Sequence, residues 1–226
     1  MRALVHDLDW CTLLREVTEQ GVAFAARAVH PPFCGQLMAE LRDGPYEPVQ
    51  LLIGQVRQET ESFEVPFAQL DLYPVLRGLC DELIQQVHEH GAPQWVPNEV
   101  AIQRYQPGSI GITPHRDQRR YAQLVAVITV VGEAPFTLCR NRDGDPVRTW
   151  QADQGSLVLL RGPGLAGVPD GRPMHLVGGP TGKPRTSIGI RMDTAQRTSI
   201  SELRRSSSGT EVVPLARQRP AISGSC

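Results

Sequence analysis

Lysine is nearly missing from this sequence: Lys183 is the only one among 226 residues, and arginine supplies the rest of the positive charge. The formal net charge is −1, so the chain as a whole lacks the basic footprint that a polyanion-binding surface needs. No stretch approaches the roughly 18 consecutive apolar residues of a membrane-spanning helix, and the reading is of no membrane partner. The start, Met1-Arg2-Ala3 running into Asp7 and Asp9, lacks the basic-then-apolar layout of a secretory leader. Paired cysteines are missing too. Cys11, Cys34, Cys80, Cys139 and Cys226 are odd in number, scattered, and include no CxxC, which predicts free thiols and a cytoplasmic location. No internal repeat is visible.

What is present is enough chain for one domain with its own core. Residues 12–43 read as two helical pieces broken at His30-Pro31-Pro32, the second carrying Leu37, Met38 and Leu41. Val49 to Val56 reads as a strand. Leu70 to His90 reads as a longer amphipathic helix with Leu72, Leu76, Leu79, Leu83 and Val87 on one stripe, Pro74 in its first turn and Gly91 at its end. From Val100 the texture changes to short β-rich runs separated by Gly, Pro, Asn and Asp: Val100–Tyr105, Leu124–Val131, Phe136–Cys139, Val147–Trp150, Ser156–Leu160 and Arg185–Met192. The expectation is an α+β protein, a double-stranded β-helix (a cupin-like jelly roll) backed by N-terminal helices. The domain is expected over residues 1–194, with a helical and lid portion 1–97 and a jelly-roll core 98–194. Residues 195–226 read as a mobile tail in which Val212-Val213-Pro214-Leu215 is a possible docking segment.

The chemistry sits in three places. Pro114-His115-Arg116-Asp117 holds an HxD pair at the mouth of a predicted strand, and residues i and i+2 of a strand face the same way. His175 precedes another strand. Two imidazoles and one carboxylate on one face of an octahedron leave three positions open, which suits non-haem Fe(II) with a bidentate cosubstrate and oxygen. The third place is Pro184-Arg185-Thr186-Ser187. An arginine fork with a hydroxyl on the same strand face fits the far carboxylate of a dicarboxylate cosubstrate. Taken singly, an HxD is ordinary surface and a lone His a structural residue; it is the combination that points to a metal site.

The stretch Ile102-Gln103-Arg104-Tyr105-Gln106-Pro107-Gly108, followed by His115-Arg116-Asp117, resembles the Asn-Arg-Tyr-x-x-Gly…His-x-Asp segment of the iron(II)/2-oxoglutarate oxygenase superfamily, in its AlkB-like branch. Arg185-Thr186-Ser187-Ile188-Gly189-Ile190-Arg191 is similar to that branch's Arg-x-Asn-x-x-x-Arg strand in both arginines, and Gly155-Ser156-Leu157…Arg161-Gly162 fits the strand before the distal His. The likeness runs over about residues 65 to 192; the Arg-x-Ser form is closer to plant-type and small-molecule oxygenases. It implies Fe(II), 2-oxoglutarate and O2. His115, Asp117 and His175 would hold the metal. Tyr105, Gln103 and Ser187 would line the cosubstrate site, Arg185 would pair with the distal carboxylate, and Arg191 would lie near the other end.

The implied reaction couples decarboxylation of 2-oxoglutarate to oxidation of a substrate C–H bond. Asp117 occupies the position a halide would need, which favours hydroxylation, demethylation or desaturation over halogenation. Three readings follow. The first is oxidation of a small-molecule or amino-acid-like substrate, with Arg116, Arg119 and Arg120 beside the metal recognising an anionic group; as a solvated loop they would do nothing. The second is AlkB-like demethylation of alkylated nucleic acid or protein. Arg119 stands where the repair enzymes carry an acidic residue, and the neutral charge counts against nucleic acid. The third is a jelly-roll binding module without catalysis. Segments 44–66, 118–123 and 161–174 are expected to form a lid and a mobile rim that choose the substrate.

Overall fold

The computed structural model describes residues 1–195; all of the predicted mobile tail after Ala195, with Val212–Leu215 and Cys226, lies outside the described residues. Met1–Thr194 form one compact unit. Among its described residues there is no helix long and apolar enough to cross a membrane.

Three helices come first. Helix α1, Trp10–Gln20, begins where the Asp9 carboxylate accepts from the Thr12 N–H at 2.9 Å. It buries Trp10, Leu13, Leu14 and Val17, a stripe at i, i+3, i+4 and i+7, and ends at left-handed Gly21. The four-residue strand β1, Val22–Ala25, follows at once. The sequence reading missed it because four residues cannot display a period. Helix α2, Pro31–Leu41, opens on its prolines as expected. Strands β2, Glu47–Ile53, and β3, Val56–Pro66, form a hairpin, so the single predicted strand Val49–Val56 is corrected: it crosses the turn at Gly54. Helix α3, Pro74–Glu89, starts later than predicted. Phe67–Leu72 forms a separate 3₁₀ turn, and Leu72 is exposed rather than part of the buried stripe. Glu40 of α2 accepts from the Val75 and Leu76 N–H groups at 2.9 Å each, supplying the acceptors that the first turn of α3 lacks.

The body is antiparallel: β4 Glu99–Tyr105, β5 Ile112–His115, β6 Tyr121–Val131, β7 Ala134–Cys139, β8 Pro146–Ala152, β9 Leu157–Arg161, β10 His175–Val177 and β11 Arg185–Asp193. The strand order is β1-β9-β6-β11-β4-β3-β5-β10-β7-β8, with β2 attached to β3. The long strand β3 makes the corner: its Glu61–Pro66 half pairs with β4, and Gln58 pairs with Ile112 of β5. Folding there gives a major sheet, β1-β9-β6-β11-β4-β3, facing a minor one, β3-β5-β10-β7-β8. This is the expected jelly roll, except that β1, β2 and β3, which precede residue 98, belong to its sheets.

The period of two then divides the major sheet. Val100, Ile102, Leu124, Ala126, Ile128, Leu157, Leu159, Ile188 and Ile190 pack with α1, α2 and α3 in the main core. A smaller apolar cluster, Val22, Tyr121, Val125, Phe136, Ala152, Val158 and Leu160, lies between the sheets. Edge strands β1 and β8 are not hydrogen-bonded to each other. Their seam is closed by Phe24 stacked on Trp150, ring centroids 5.8 Å apart, with the Arg148 guanidinium 4.7 Å from the Trp150 ring.

Candidate metal and cosubstrate site

A cavity of about 370 Å³ opens between the two sheets, lined on one side by His115, Asp117 and His175 and on the other by Gln103, Tyr105, Arg185 and Ser187. Register makes the metal candidates neighbours: His175 at the start of β10 lies directly opposite His115 at the end of β5, and their ring centroids are 4.3 Å apart. Asp117 lies just past β5 rather than inside it, so the in-strand i, i+2 argument is corrected. Its Oδ1 nevertheless comes within 3.8 Å of His115 Nε2, and one donor atom from each of the three residues falls within 4.8 Å of the others.

Hydrogen bonds fix the histidine tautomers. His115 Nδ1 lies 2.9 Å from the Thr113 carbonyl and His175 Nδ1 lies 3.2 Å from the Pro173 carbonyl. A carbonyl only accepts, so each Nδ1 carries a proton and Nε2 is the atom left to each ring for ligation. Burial, with His175 alongside, pushes the His115 pKa down to about 4 against the attraction of Asp117. That keeps it in the ligating form at neutral pH. Phe136 stacks on His175 at 5.3 Å and closes the apolar side. Two such imidazoles with a carboxylate are a donor set for a divalent metal of the iron class that leaves further positions open.

Across the cavity Arg185 is 2% exposed. It donates to Ser187 Oγ at 3.3 Å and Thr129 Oγ1 at 3.0 Å, its Nε has no hydrogen-bond partner, and no carboxylate pairs with it among the described residues. Burial accordingly lowers its pKa. Tyr105 lies beneath it, the guanidinium 5.8 Å from the ring, and its hydroxyl accepts from Gln58 Nε2 at 3.3 Å and donates to Gln103 Oε1 at 3.4 Å. Cross-strand register assembles this group: Arg185 opposes Tyr105, and Ser187 opposes Gln103 on one side and Thr129 on the other. Gly132 holds the start of β11 in place. Its φ of 76° suits glycine, and a Cβ there would stand 2.5 Å from the Pro184 carbonyl and 2.8 Å from Arg185 Cα.

A third group borders the cavity at Tyr121. Arg191 donates to Glu99 at 3.1 Å and to the Tyr121 hydroxyl at 3.3 Å, with its guanidinium 4.7 Å from the Tyr121 ring. Burial raises the Glu99 pKa despite Arg191. Arg120 donates to the same hydroxyl at 3.2 Å and pairs with Asp193 at 3.3 Å. Of the three predicted substrate arginines, Arg116 and Arg120 line the cavity. Arg119 does not; it points toward Asp170, 3.8 Å away. The 161–174 rim is pinned rather than loose: Arg161 donates to the Gly171 and Thr18 carbonyls, and Arg172 to Asp170 and to the Asp117 carbonyl.

Sequence reasoning missed Thr129, Gln58, Phe136 and Arg172. The first three sit in strands, and only the pairing register would have brought them to the site. Arg172 lies in a loop with no periodic signal at all.

No protein-family model and no curated protein matches the chain. Solved structures do. One is an oxidoreductase of the 2OG-Fe(II) oxygenase family from Burkholderia pseudomallei, with 14% identity over 84% of this chain and 92% of that one and a TM-score of 0.62. Another is a prolyl-4-hydroxylase from Pseudomonas putida, with 16% identity over 81% and 98% and a TM-score of 0.59. A third is the non-heme alpha-ketoglutarate-dependent epimerase SnoN of nogalamycin biosynthesis, with 14% identity over 81% and 83% and a TM-score of 0.55. At such identities the likeness establishes the jelly-roll fold.

Proposed function

We propose that this chain is an Fe(II)- and 2-oxoglutarate-dependent oxygenase, with His115, Asp117 and His175 holding the iron and Arg185 holding the distal carboxylate of 2-oxoglutarate. One observation carries the reading: Arg185 is a buried cation whose Nε is unpartnered and which no carboxylate among the described residues meets, in the same cavity as a ready His-Asp-His donor set. An uncompensated buried charge is costly unless an anion completes it. A dicarboxylate reaching from the metal to Arg185 meets that need. The fold neighbours that are a 2OG-Fe(II) oxygenase and an alpha-ketoglutarate-dependent epimerase support the same assignment.

In this reading the two Nδ1–H···O=C bonds hold both imidazoles in the ligating tautomer before the metal arrives. Ser187 and Thr129 aim the Arg185 fork, and Tyr105 and Gln103 flank the chain of the cosubstrate. Phe136, Val125, Val127 and Leu160 keep the walls apolar and limit water around the metal. When bound, the iron and 2-oxoglutarate supply the oxidising chemistry, consuming O2 and releasing succinate and carbon dioxide.

The substrate is a small or amino-acid-like molecule carrying an anionic group, read by Arg116 and Arg120 where they line the cavity. It undergoes hydroxylation or a related C–H oxidation. AlkB-like demethylation is the second reading. It draws on the Arg-Tyr-x-x-Gly…His-x-Asp and Arg185–Arg191 segments, but the net charge of −1 and the prolyl-4-hydroxylase and epimerase among the fold neighbours favour the first. A cytoplasmic site of action fits the free cysteines Cys11, Cys34, Cys80 and Cys139.

The test is anaerobic reconstitution with Fe(II) and 2-oxoglutarate, watching for the visible metal-to-ligand charge-transfer band. The band is expected in the native protein and absent from His175→Ala and Arg185→Ala. Folded, iron-loaded protein without it would point to the non-catalytic jelly-roll module. Formaldehyde release from methylated oligonucleotides would move the assignment to the demethylase.

A further inference from the structure

Arg172 touches the surroundings of two metal-ligand candidates at once. Its guanidinium donates to the main-chain carbonyl of Asp117 and is gripped by Asp170, with Nε to Oδ1 and Nη2 to Oδ2 both at 2.9 Å. The Arg172 N–H also reaches Asp170 Oδ1 at 3.3 Å. Its side chain is 13% exposed, so the fork is held in a partly dry setting where two-pronged carboxylate pairing restricts it most. The next residue, Pro173, supplies the carbonyl that accepts from His175 Nδ1. One dipeptide therefore fixes the backbone carrying Asp117 through its side chain and the ring of His175 through its main chain. His115 needs no such help, because its own strand supplies the Thr113 carbonyl. Asp117, beyond the end of β5, has no ladder hydrogen bonds to set it.

We infer that Arg172, aligned by Asp170, is a positioning residue that locks Asp117 and His175 into register with each other. This deepens the proposed function and rests on its assignment of the metal ligands. Groups of this kind around metal ligands typically change metal affinity by about 10- to 100-fold when removed. The Asp170 carboxyl is held far below the usual carboxylate range by Arg172, as a firm pair requires. A purely structural role would behave differently. Arg161 pins the same loop, to the Gly171 and Thr18 carbonyls, without touching any ligand candidate, and it provides the contrast.

The experiment measures Mn(II) affinity by electron paramagnetic resonance and the Co(II) d–d spectrum in protein free of cosubstrate, with melting temperature alongside. Arg172→Met is expected to weaken Mn(II) binding by about 10- to 100-fold and to alter the Co(II) bands. Arg172→Lys, which keeps the charge but not the fork, is expected to recover little of it. Asp170→Asn keeps the shape but loosens the grip, and is expected to fall between native and Arg172→Met; it carries the test if Arg172→Met fails to fold. Arg161→Met should lower the melting temperature and leave metal affinity within about twofold, as a contact remote from the ligands would. Native-like Mn(II) affinity and Co(II) spectrum in folded Arg172→Met or Asp170→Asn would overturn the positioning role while leaving the metal site standing. Failure of the native protein to bind either metal would instead overturn the ligand assignment, and this inference with it.

Discussion

Strand β11 serves two opposed purposes. Ile188 and Ile190, both fully buried, face the helices; Arg185, Ser187 and Arg191 face the cavity. The neighbouring strands repeat the contrast, with Ile102 against Gln103 and Tyr105 on β4, and Ile128 against Thr129 on β6. One face collects apolar area that drives folding. The other gathers a buried cation, hydroxyls and an amide that an ordinary core would exclude. Stability and function are thus separated by residue parity on the same few strands, and substitutions on adjacent positions should have opposite signatures.

The largest effect expected is on cosubstrate binding. Arg185→Met should weaken 2-oxoglutarate binding by about 2–5 kcal/mol, the usual result of removing one member of a buried charged pair. The ligand-free protein should melt at the same temperature or higher, because an uncompensated buried cation has gone. A clear fall in its melting temperature would place Arg185 among the structural residues. Ile188→Ala should do the reverse: a loss of about 2–5 kcal/mol in denaturant unfolding from the cavity left against the helices, with cosubstrate affinity of the folded protein retained. A lower affinity at full stability would break the division by face.

The third prediction concerns pH in the metal-free protein. Folding holds the His115 pKa down to about 4, whereas in an unfolded chain it is about 6.5. Between those values the unfolded state binds more protons, so stability should fall as pH drops from 6.5 toward 4. His115→Gln should flatten that part of a urea-unfolding pH series; an unchanged slope would show that other groups set it. The smallest effect should come from Thr129→Val, which leaves one Arg185 N–H without its acceptor, for about 1–3 kcal/mol. The loss should register in cosubstrate affinity. A change confined to melting temperature would move Thr129 to the structural side.

The sequence made parts of this plain and hid others for identifiable reasons. The stripes of α2 and α3 and the β-runs after Val100 were legible because a period repeats within one segment. Arg185 with Ser187 was legible because two positions along a strand share a face. Gln58 and Thr129 were not, because a cross-strand partner is set by register between distant segments, and β1 was too short to carry a pattern. Leu72 fitted the stripe by spacing alone, yet the chain turns before Pro74 and leaves it in water. Arg172 was illegible because a loop side chain reaching a main-chain carbonyl leaves no trace in composition.

The seam between β1 and β8 gives the jelly roll one line along which no backbone hydrogen bond has to break. Phe24, Trp150 and Arg148 act there as a clasp, and a stacked ring pair contributes only about 0.5–1.5 kcal/mol beyond the area it covers. Opening the sheets along this line would break side-chain contacts alone: the clasp, and the Val22 and Ala152 part of the apolar cluster between the sheets. The outward amides of β1 and β8 should therefore exchange with deuterium ahead of those in β6 and β11, which have partners on both sides.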